Sequence, residues 1–413
     1  MRVTIEMEGK GLHPARTDFD QNKSAVPQKW NLKGDFMHKN ITLIIEKFQK
    51  AAKDPGAYAR SWKKKHQKDV IGYFCSYAPE EIMLATGALP YRLFGAQNQI
   101  SLADAHLQAY SCSLVRGALE DALSGDLDFL KGTVFPHTCD SIMRLSDMWR
   151  MNLGFDFHID VVLPVKLNTK NAREYMIDVI RKFKRDLERE MKTAISDEQI
   201  RSSVKTINRN RELLDDLYGM KCQNPSLLPG SDLNAIIKSC MIMDRQEVGE
   251  MLEDLLGYYR TLDMKVPSGG KRILLAGGLC NMPDIFEIVE SSGGVIVSDD
   301  FCTGSRYVDG PVTMQDDMMV AIAERYVKRV VCPAKHSALY SRGDHVLNLA
   351  RENDVDGVIF LYLKFCDPHA FDYPYMKTML DNEDIPSMLF EIEDQSLSEG
   401  QFKTRCEAFI EML

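Results

Sequence analysis

Short apolar runs alternate with helix-period segments at both ends of this 413-residue chain, and that alternation leaves few folds open. In the C-terminal part the runs fall at 271–276, 294–298, 327–331, 355–363 and 387–391. Helical segments at about 283–291, 314–326, 340–353, 373–383 and 397–412 separate or follow them. Strands that each return through a helix pair in parallel, with helices covering both faces of the sheet. The N-terminal part shows the same pattern more sparsely, with strands predicted at 69–74, 132–136 and 158–163 and helices at 37–52 and 103–123. Ala78-Pro79-Glu80-Glu81-Ile82 opens a further helix, with Pro in its first turn and two carboxylates complementing the dipole. Between these parts, from about 168 to 265, the period changes. Tyr175, Ile177, Val179, Ile180, Phe183 and Leu187 mark one face of a charged helix.

The predicted fold class is α/β: two parallel-sheet α/β lobes flanking a helical middle region. The expected division is an N-terminal arm (1–36), a first lobe with leading helices (37–166), a helical region (167–268) and a second lobe (269–413). Pro267-Ser-Gly-Gly270 supplies the last boundary. Leu275-Ala-Gly-Gly-Leu-Cys280 only imitates a dinucleotide-binding loop, because no Gly-x-Gly-x-x-Gly is present.

Five of the ten cysteines follow or end apolar runs that read as strands: Cys75, Cys139, Cys302, Cys332 and Cys366. Open parallel sheets bind ligands at the carboxyl ends of their strands. Thiols repeated at that edge, in both lobes, predict a soft-metal or iron–sulfur site assembled from distant segments in the cleft between lobes. No Cys-x-x-Cys occurs.

Composition narrows the function classes. Net charge is −9 and the isoelectric point about 5.6, which argues against general nucleic-acid binding. No apolar run reaches the roughly 18 residues of a membrane span. Met1 to Gly34 has no signal-peptide core, so a cytoplasmic location is expected. Thiols are kept reduced there and serve as ligands, catalytic groups or small buried hydrophobes. The basic run Lys63, Lys64, Lys65 and Lys68 reads as a solvated helix face.

One set of segments carries a family resemblance. Tyr73-Phe-Cys-Ser-Tyr-Ala-Pro-Glu-Glu-Ile82, Ala103-Asp104, Tyr110-Ser-Cys-Ser-Leu-Val-Arg116 and Pro136-His-Thr-Cys-Asp140 are joined by Asp299-Asp-Phe-Cys-Thr-Gly304, Leu363-Lys-Phe-Cys-Asp-Pro368 and Thr404-Arg-Cys-Glu-Ala-Phe409. In order and spacing the chain resembles the 2-hydroxyacyl-CoA dehydratase and benzoyl-CoA reductase family over most of 40–413. The resemblance implies a 4Fe-4S cluster held by Cys112, Cys139 and Cys366, with the fourth iron open. It also implies an acyl-CoA substrate, a separate ATP-dependent iron–sulfur activator protein, and a homologous second subunit or a homodimer. The chain itself lacks a phosphate-binding loop. In that family a low-potential electron turns the thioester carbonyl into a ketyl, which then loses water or, in the reductase, leads to ring reduction.

Cys75, Cys302 and Cys332 widen the choice. Related double-cubane reductases carry cysteines at similar places and hold an 8Fe-9S cluster through six thiolates, and all six positions are filled here. Packing cysteines are the alternative for these three. His137, two residues before Cys139, is placed to donate to a cluster sulfur or a substrate oxygen, or to cap its strand. Glu81 is a candidate for the open iron, or a helix-start carboxylate. His336 and His369 each follow a candidate ligand and stand as proton donors or loop histidines. Arg116 and Arg144 meet CoA phosphates or local carboxylates. Three readings stay open: a catalytic iron–sulfur subunit of an activator-dependent acyl-CoA enzyme, a stand-alone double-cubane reductase of small molecules, and a non-catalytic subunit of such a complex.

Overall fold

The computed structural model describes residues 32–95, 99–262, 269–278, 284–330, 332–392 and 399–413. The expected N-terminal arm lies almost wholly outside the described residues, as do Cys280 and part of the 267–270 boundary. Two four-stranded sheets, parallel throughout, organise the chain. The first contains β1 (Val70–Tyr73), β2 (Leu89–Arg92), β3 (Gly132–Pro136) and β4 (Phe157–Val161) in the order β2-β1-β3-β4. The second contains β5 (Lys271–Gly277), β6 (Gly294–Asp300), β7 (Gly357–Leu363) and β8 (Ser387–Ile392) in the order β6-β5-β7-β8. The two orders are equivalent, so each sheet has one place where chain progression reverses: β1/β3 in the first and β5/β7 in the second. The fold class read from the sequence is the one observed.

Strands covered on both faces carry continuous apolar runs, and these were the easy elements to read. All four residues of β1 are buried, as are the first six of β7. The sequence reading missed β2. Its Leu-Pro-Tyr-Arg contains a proline, which removes a ladder donor and argues against a strand. The structure accommodates Pro90 because β2 is the edge strand, paired only with β1. The expected strand at 327–331 is not present among the described residues. The helix Met318–Lys328 runs through its start, and Arg329 ends that helix by donating its backbone N–H to Arg325 O. The helix expected over 103–123 is a single 3₁₀ turn (Ala103–Ala105) followed by a helix that begins only at Ser113.

The middle region is helical. Helix Lys170–Met191 starts at Thr169, whose side chain accepts from Ala172 N. Helix Asp197–Gln223 starts with a reciprocal capping box between Ser196 and Gln199. This second helix ties the two sheets together. Arg211 donates to Glu81 beside the first sheet at 2.7 Å, and Tyr218 donates to Asp299 at the end of β6. The helix Met318–Lys328, although late in sequence, packs on the first sheet: Met318, Ile322 and Tyr326 share a core with Ile71, Ile82 and Val134. No helix among the described residues is long and apolar enough to cross a membrane.

A candidate thiol site between the two sheets

The loops at the two reversal points carry the candidate ligands. Cys75 follows β1 and Cys139 follows β3, so both stand at the β1/β3 reversal. Cys366 follows β7 at the β5/β7 reversal, and Cys302 follows the neighbouring β6. Cys112 joins them as a corrected element. It is not inside a helix but is the residue that caps one, with extended backbone (φ −64°, ψ 154°).

Cys112, Cys139 and Cys366 therefore occupy one kind of position. Each is the N-cap of the helix that follows: Ser113–Leu123, Asp140–Asn152 and Asp367–Asp381. A helix N-terminus offers unpaired N–H groups and partial positive charge, which favour a thiolate over a thiol. Two of the thiol-bearing turns are also strained. Cys75 has φ +57° and Phe365, just before Cys366, has φ +64°, each a conformation that costs a side-chain-bearing residue about 1–3 kcal/mol.

The six thiols gather in one region. Cys75, Cys139, Cys302 and Cys366 are half-buried and pack on the core that contains Cys112, while Cys332 packs with Cys75 on the adjoining core. Their charges act on one another. Burial pushes the Cys139 thiol up to about 12, and Cys112, Cys332 and Cys75 add to that rise. Burial also holds Cys366 well above the usual thiol range, reinforced by Cys112, Cys139 and Cys332. Cys332 is pushed up to about 11 by burial and then by Cys75 and Cys302. The two sets of three cysteines thus lie within electrostatic reach of each other.

Among the described residues, no three His, Cys, Asp or Glu side chains are placed to share one metal ion. A mononuclear site needs every thiolate about 2.3 Å from one centre, whereas a polynuclear cluster distributes its thiolates over several metals. An all-sulfur donor set, mostly half-buried, spread around a region and backed in part by helix N-termini, fits the second kind of group.

The remaining candidates fall in three different settings. His369 is buried, three residues into the helix that Cys366 caps, and its Nδ1 lies 3.2 Å from the Cys366 sulfur. Gly278, after β5, permits this packing, since a Cβ there would come within 2.9 Å of the His369 ring. His137 points elsewhere: its Nε2 is 2.9 Å from Asp160, a carboxylate that also engages Ser146 and His158. Burial opposes ionisation of Asp160, but hydrogen bonds from His158, Ser146 and His137 hold it well below the ordinary carboxylate range. His336 forms a short parallel bridge with Lys166 and so fastens the Cys332 loop beside β4.

Glu81 is fully buried and its acceptors are committed to Arg211 (2.7 Å) and Tyr326 (3.4 Å). Burial disfavours its charge, yet Arg211 and Arg325 outweigh that and lower its pKa. Glu80 pairs with Arg245 at 3.1 Å. The acidic pair read from the sequence thus anchors buried arginines of the helical region. Arg116 meets Asp104 at 2.7 Å, and Arg144 reaches Asp140 at 3.8 Å, so both have local carboxylates.

Comparison with known proteins decides the family. The profile described as 2-hydroxyglutaryl-CoA dehydratase, D-component, matches residues 75–413. The chain belongs to this family. Its relatives include the (R)-phenyllactyl-CoA dehydratase beta subunit of Clostridium sporogenes, 27% identical over 374 residues, which span 91% of this chain and all of that protein. A benzoyl-CoA reductase subunit of Thauera aromatica is 28% identical over 351 residues, covering 82% of this chain and 89% of that one. The beta subunit of (R)-2-hydroxyglutaryl-CoA dehydratase from Acidaminococcus fermentans is 26% identical over 383 residues, covering 90% and 100%.

Against this D-component background, the residues that sequence reasoning missed are the basic ones. Arg92, at the end of β2, reaches across to the second sheet, donating to Cys302 O at 2.9 Å with its other nitrogen 3.3 Å from the Cys302 sulfur. The absence of a predicted β2 hid it. Lys335, in Cys-Pro-Ala-Lys-His, donates to His137 O at 3.0 Å and so joins the Cys332 and Cys139 loops. Its position three residues after Cys332 was the available signal.

Proposed function

We propose that this chain is the beta-type subunit of an activator-dependent acyl-CoA enzyme, either a 2-hydroxyacyl-CoA dehydratase or a reductase of the benzoyl-CoA type. Cys112, Cys139 and Cys366 would hold a 4Fe-4S cluster. The observation that carries the reading is their common placement: three thiols, one buried and two half-buried, each on the N-cap residue of a helix, on three separate loops in a D-component fold. When bound, such a cluster supplies one-electron chemistry at low potential, with an iron that no protein thiolate ligates.

The chain's own residues do the rest. The three helix N-termini offset part of what burial costs a thiolate at each position. The half-buried placement of the thiols limits water at the site, which strengthens every charge interaction in it. His369 holds the Cys366 sulfur with one ring nitrogen and stays neutral, because burial and then Arg306 and Arg342 bring its pKa down to about 3. Neutral imidazole keeps one N–H to give, and in this reading it gives it to that sulfur. His137 is oriented by Asp160 and is assigned proton placement at the mouth of the β3 loop.

The relatives' own names, each that of one subunit among others, support assembly with a second, related chain. The acyl-CoA substrate and an ATP-dependent iron–sulfur activator belong to the same reading, as does a cytoplasmic location. A second reading is favoured by one observation: Cys75 packs on both the core that holds Cys112, Cys139, Cys302 and Cys366 and the core that holds Cys332, so the six thiols border one another. In it, Cys75, Cys302 and Cys332 join the other three around an 8Fe-9S double cubane.

Iron and acid-labile sulfide analysis of anaerobically purified protein tests both. About four irons per chain, lost in Cys139→Ala and kept in Cys302→Ala, supports the first; about eight, reduced by either change, supports the second. A chain with no iron, whose Cys139→Ala variant supports full turnover in the assembled complex, is a non-catalytic subunit.

A further inference from the structure

Three buried cations near the thiol-bearing loops have no carboxylate at ion-pair distance among the described residues. Arg92 is 1% exposed, Lys335 2% and Arg329 7%. Arg92 bonds to Cys302 O, the Cys302 sulfur and Met241 Sδ. Arg329 bonds to Ser76 O at 2.5 Å and to Arg306 O. Lys335 bonds to His137 O. Their neutral partners lie beside the ligand candidates: Ser76 follows Cys75, and His137 precedes Cys139 by two residues.

Other buried cations nearby are balanced. Arg211 and Arg245 meet Glu81 and Glu80, Arg306 meets Asp300, and Arg342 meets Asp300 and, at 3.7 Å, Asp372. Arg325 also lacks an ion pair, but the negative side chains acting on it are Glu81 and Tyr326, not thiols. A buried ion without a counter-ion is strongly unfavourable, so Arg92 and Lys335 imply an anion that no carboxylate of the described residues supplies. For Arg92 and Lys335 the negative groups in reach are mainly thiols. Burial works against the Arg92 charge, while Cys302, Tyr73 and Cys75 act in its favour. Burial likewise lowers the Lys335 pKa, against Cys332, Cys75 and Cys139.

We propose that Arg92 and Lys335 form a cationic collar, positioning residues that balance the negative charge of the thiolate-bound cluster and raise its reduction potential. The collar rests on the second iron–sulfur reading above, in which Cys75, Cys302 and Cys332 are ligands. A fixed positive charge stabilises the reduced, more negative state, and an N–H donor to a ligand sulfur acts in the same direction.

The test uses anaerobically reconstituted full-length protein. Arg92→Gln and Lys335→Met are each expected to shift the potential, read by redox titration with electron paramagnetic resonance, to more negative values. Lys335→Arg restores it. Arg92→Lys keeps the charge but loses the forked contact and falls between. Independently of redox, the rise in melting temperature on loading iron and sulfide is expected to shrink in Arg92→Gln and Lys335→Met. Should Arg92→Gln not fold, Lys335→Met decides. Wild-type potential and wild-type loading gain in Lys335→Met at full iron content overturn the collar and leave the cluster reading standing. A wild-type protein that binds no iron overturns both.

Discussion

His369 Nδ1 lies 3.2 Å from the sulfur of Cys366, and the two residues belong to the same first helical turn. A residue three positions after an N-cap faces back toward it, so the contact follows from helix geometry once Cys366 is the cap. Groups that hold a metal ligand from outside tune affinity by about 10–100-fold. His369→Ala is therefore expected to weaken iron retention by that order. Chelator competition on the reconstituted protein reads it, and an unchanged retention half-life removes His369 from the site.

Glu81 is assigned to structure by its contact with Arg211. Neutralising a buried ion-pair partner leaves the other charge stranded, at a cost of about 3–5 kcal/mol. Glu81→Gln is expected to lose stability of that size in denaturant unfolding. A variant with wild-type stability and abolished turnover would instead return Glu81 to the catalytic role expected from the sequence.

The raised thiols set a direction with pH. Burial pushes the Cys139 and Cys332 thiols up to about 12 and about 11, so at neutral pH each releases a proton on binding metal. Loading is expected to strengthen from pH 7 to pH 9, by up to about tenfold per pH unit for each thiolate formed. The apo-protein moves the other way. Its folded thiols hold protons that the unfolded chain gives up, so stability falls as pH rises past about 8.5. Reconstitution yield and apo melting temperature across that range check both slopes.

Asp121 offers a probe remote from the thiols. Burial, then Asp126 and Glu120, raise its pKa to about 7. The folded state therefore binds a proton that the unfolded chain loses above about 4, and stability falls as pH rises from there through 7. Asp121→Asn stays neutral and is expected to be more stable than wild type at pH 8, by about 2 kcal/mol after screening, with the gain vanishing near pH 4. Denaturation at the two pH values measures it. Equal gains at both would place the effect in packing.

Legibility followed burial. The apolar runs of β1, β3 and β7 announced themselves because strands covered on both faces admit little else. β2 did not, because an edge strand tolerates proline, and the run ending at Val331 misled because an apolar helix end has the same composition as a buried strand. Cys112 was placed within a helix because hydrophobic periodicity does not mark the residue at which a helix begins.

Period and residue type are local properties, so the α/β class, the family motifs and the thiols to watch were readable from the chain alone. Tertiary structure decided what those residues face. Only the paired reversal of the two sheets brings Cys75 and Cys139 toward Cys302 and Cys366. Only tertiary structure pairs Glu81, a candidate for the open iron or a helix-start carboxylate, with Arg211, 130 residues away. The same holds for Arg92 and Cys302, which are 210 residues apart. Charge balance in a buried site is a sum over segments distant in sequence, and no local pattern contains that sum.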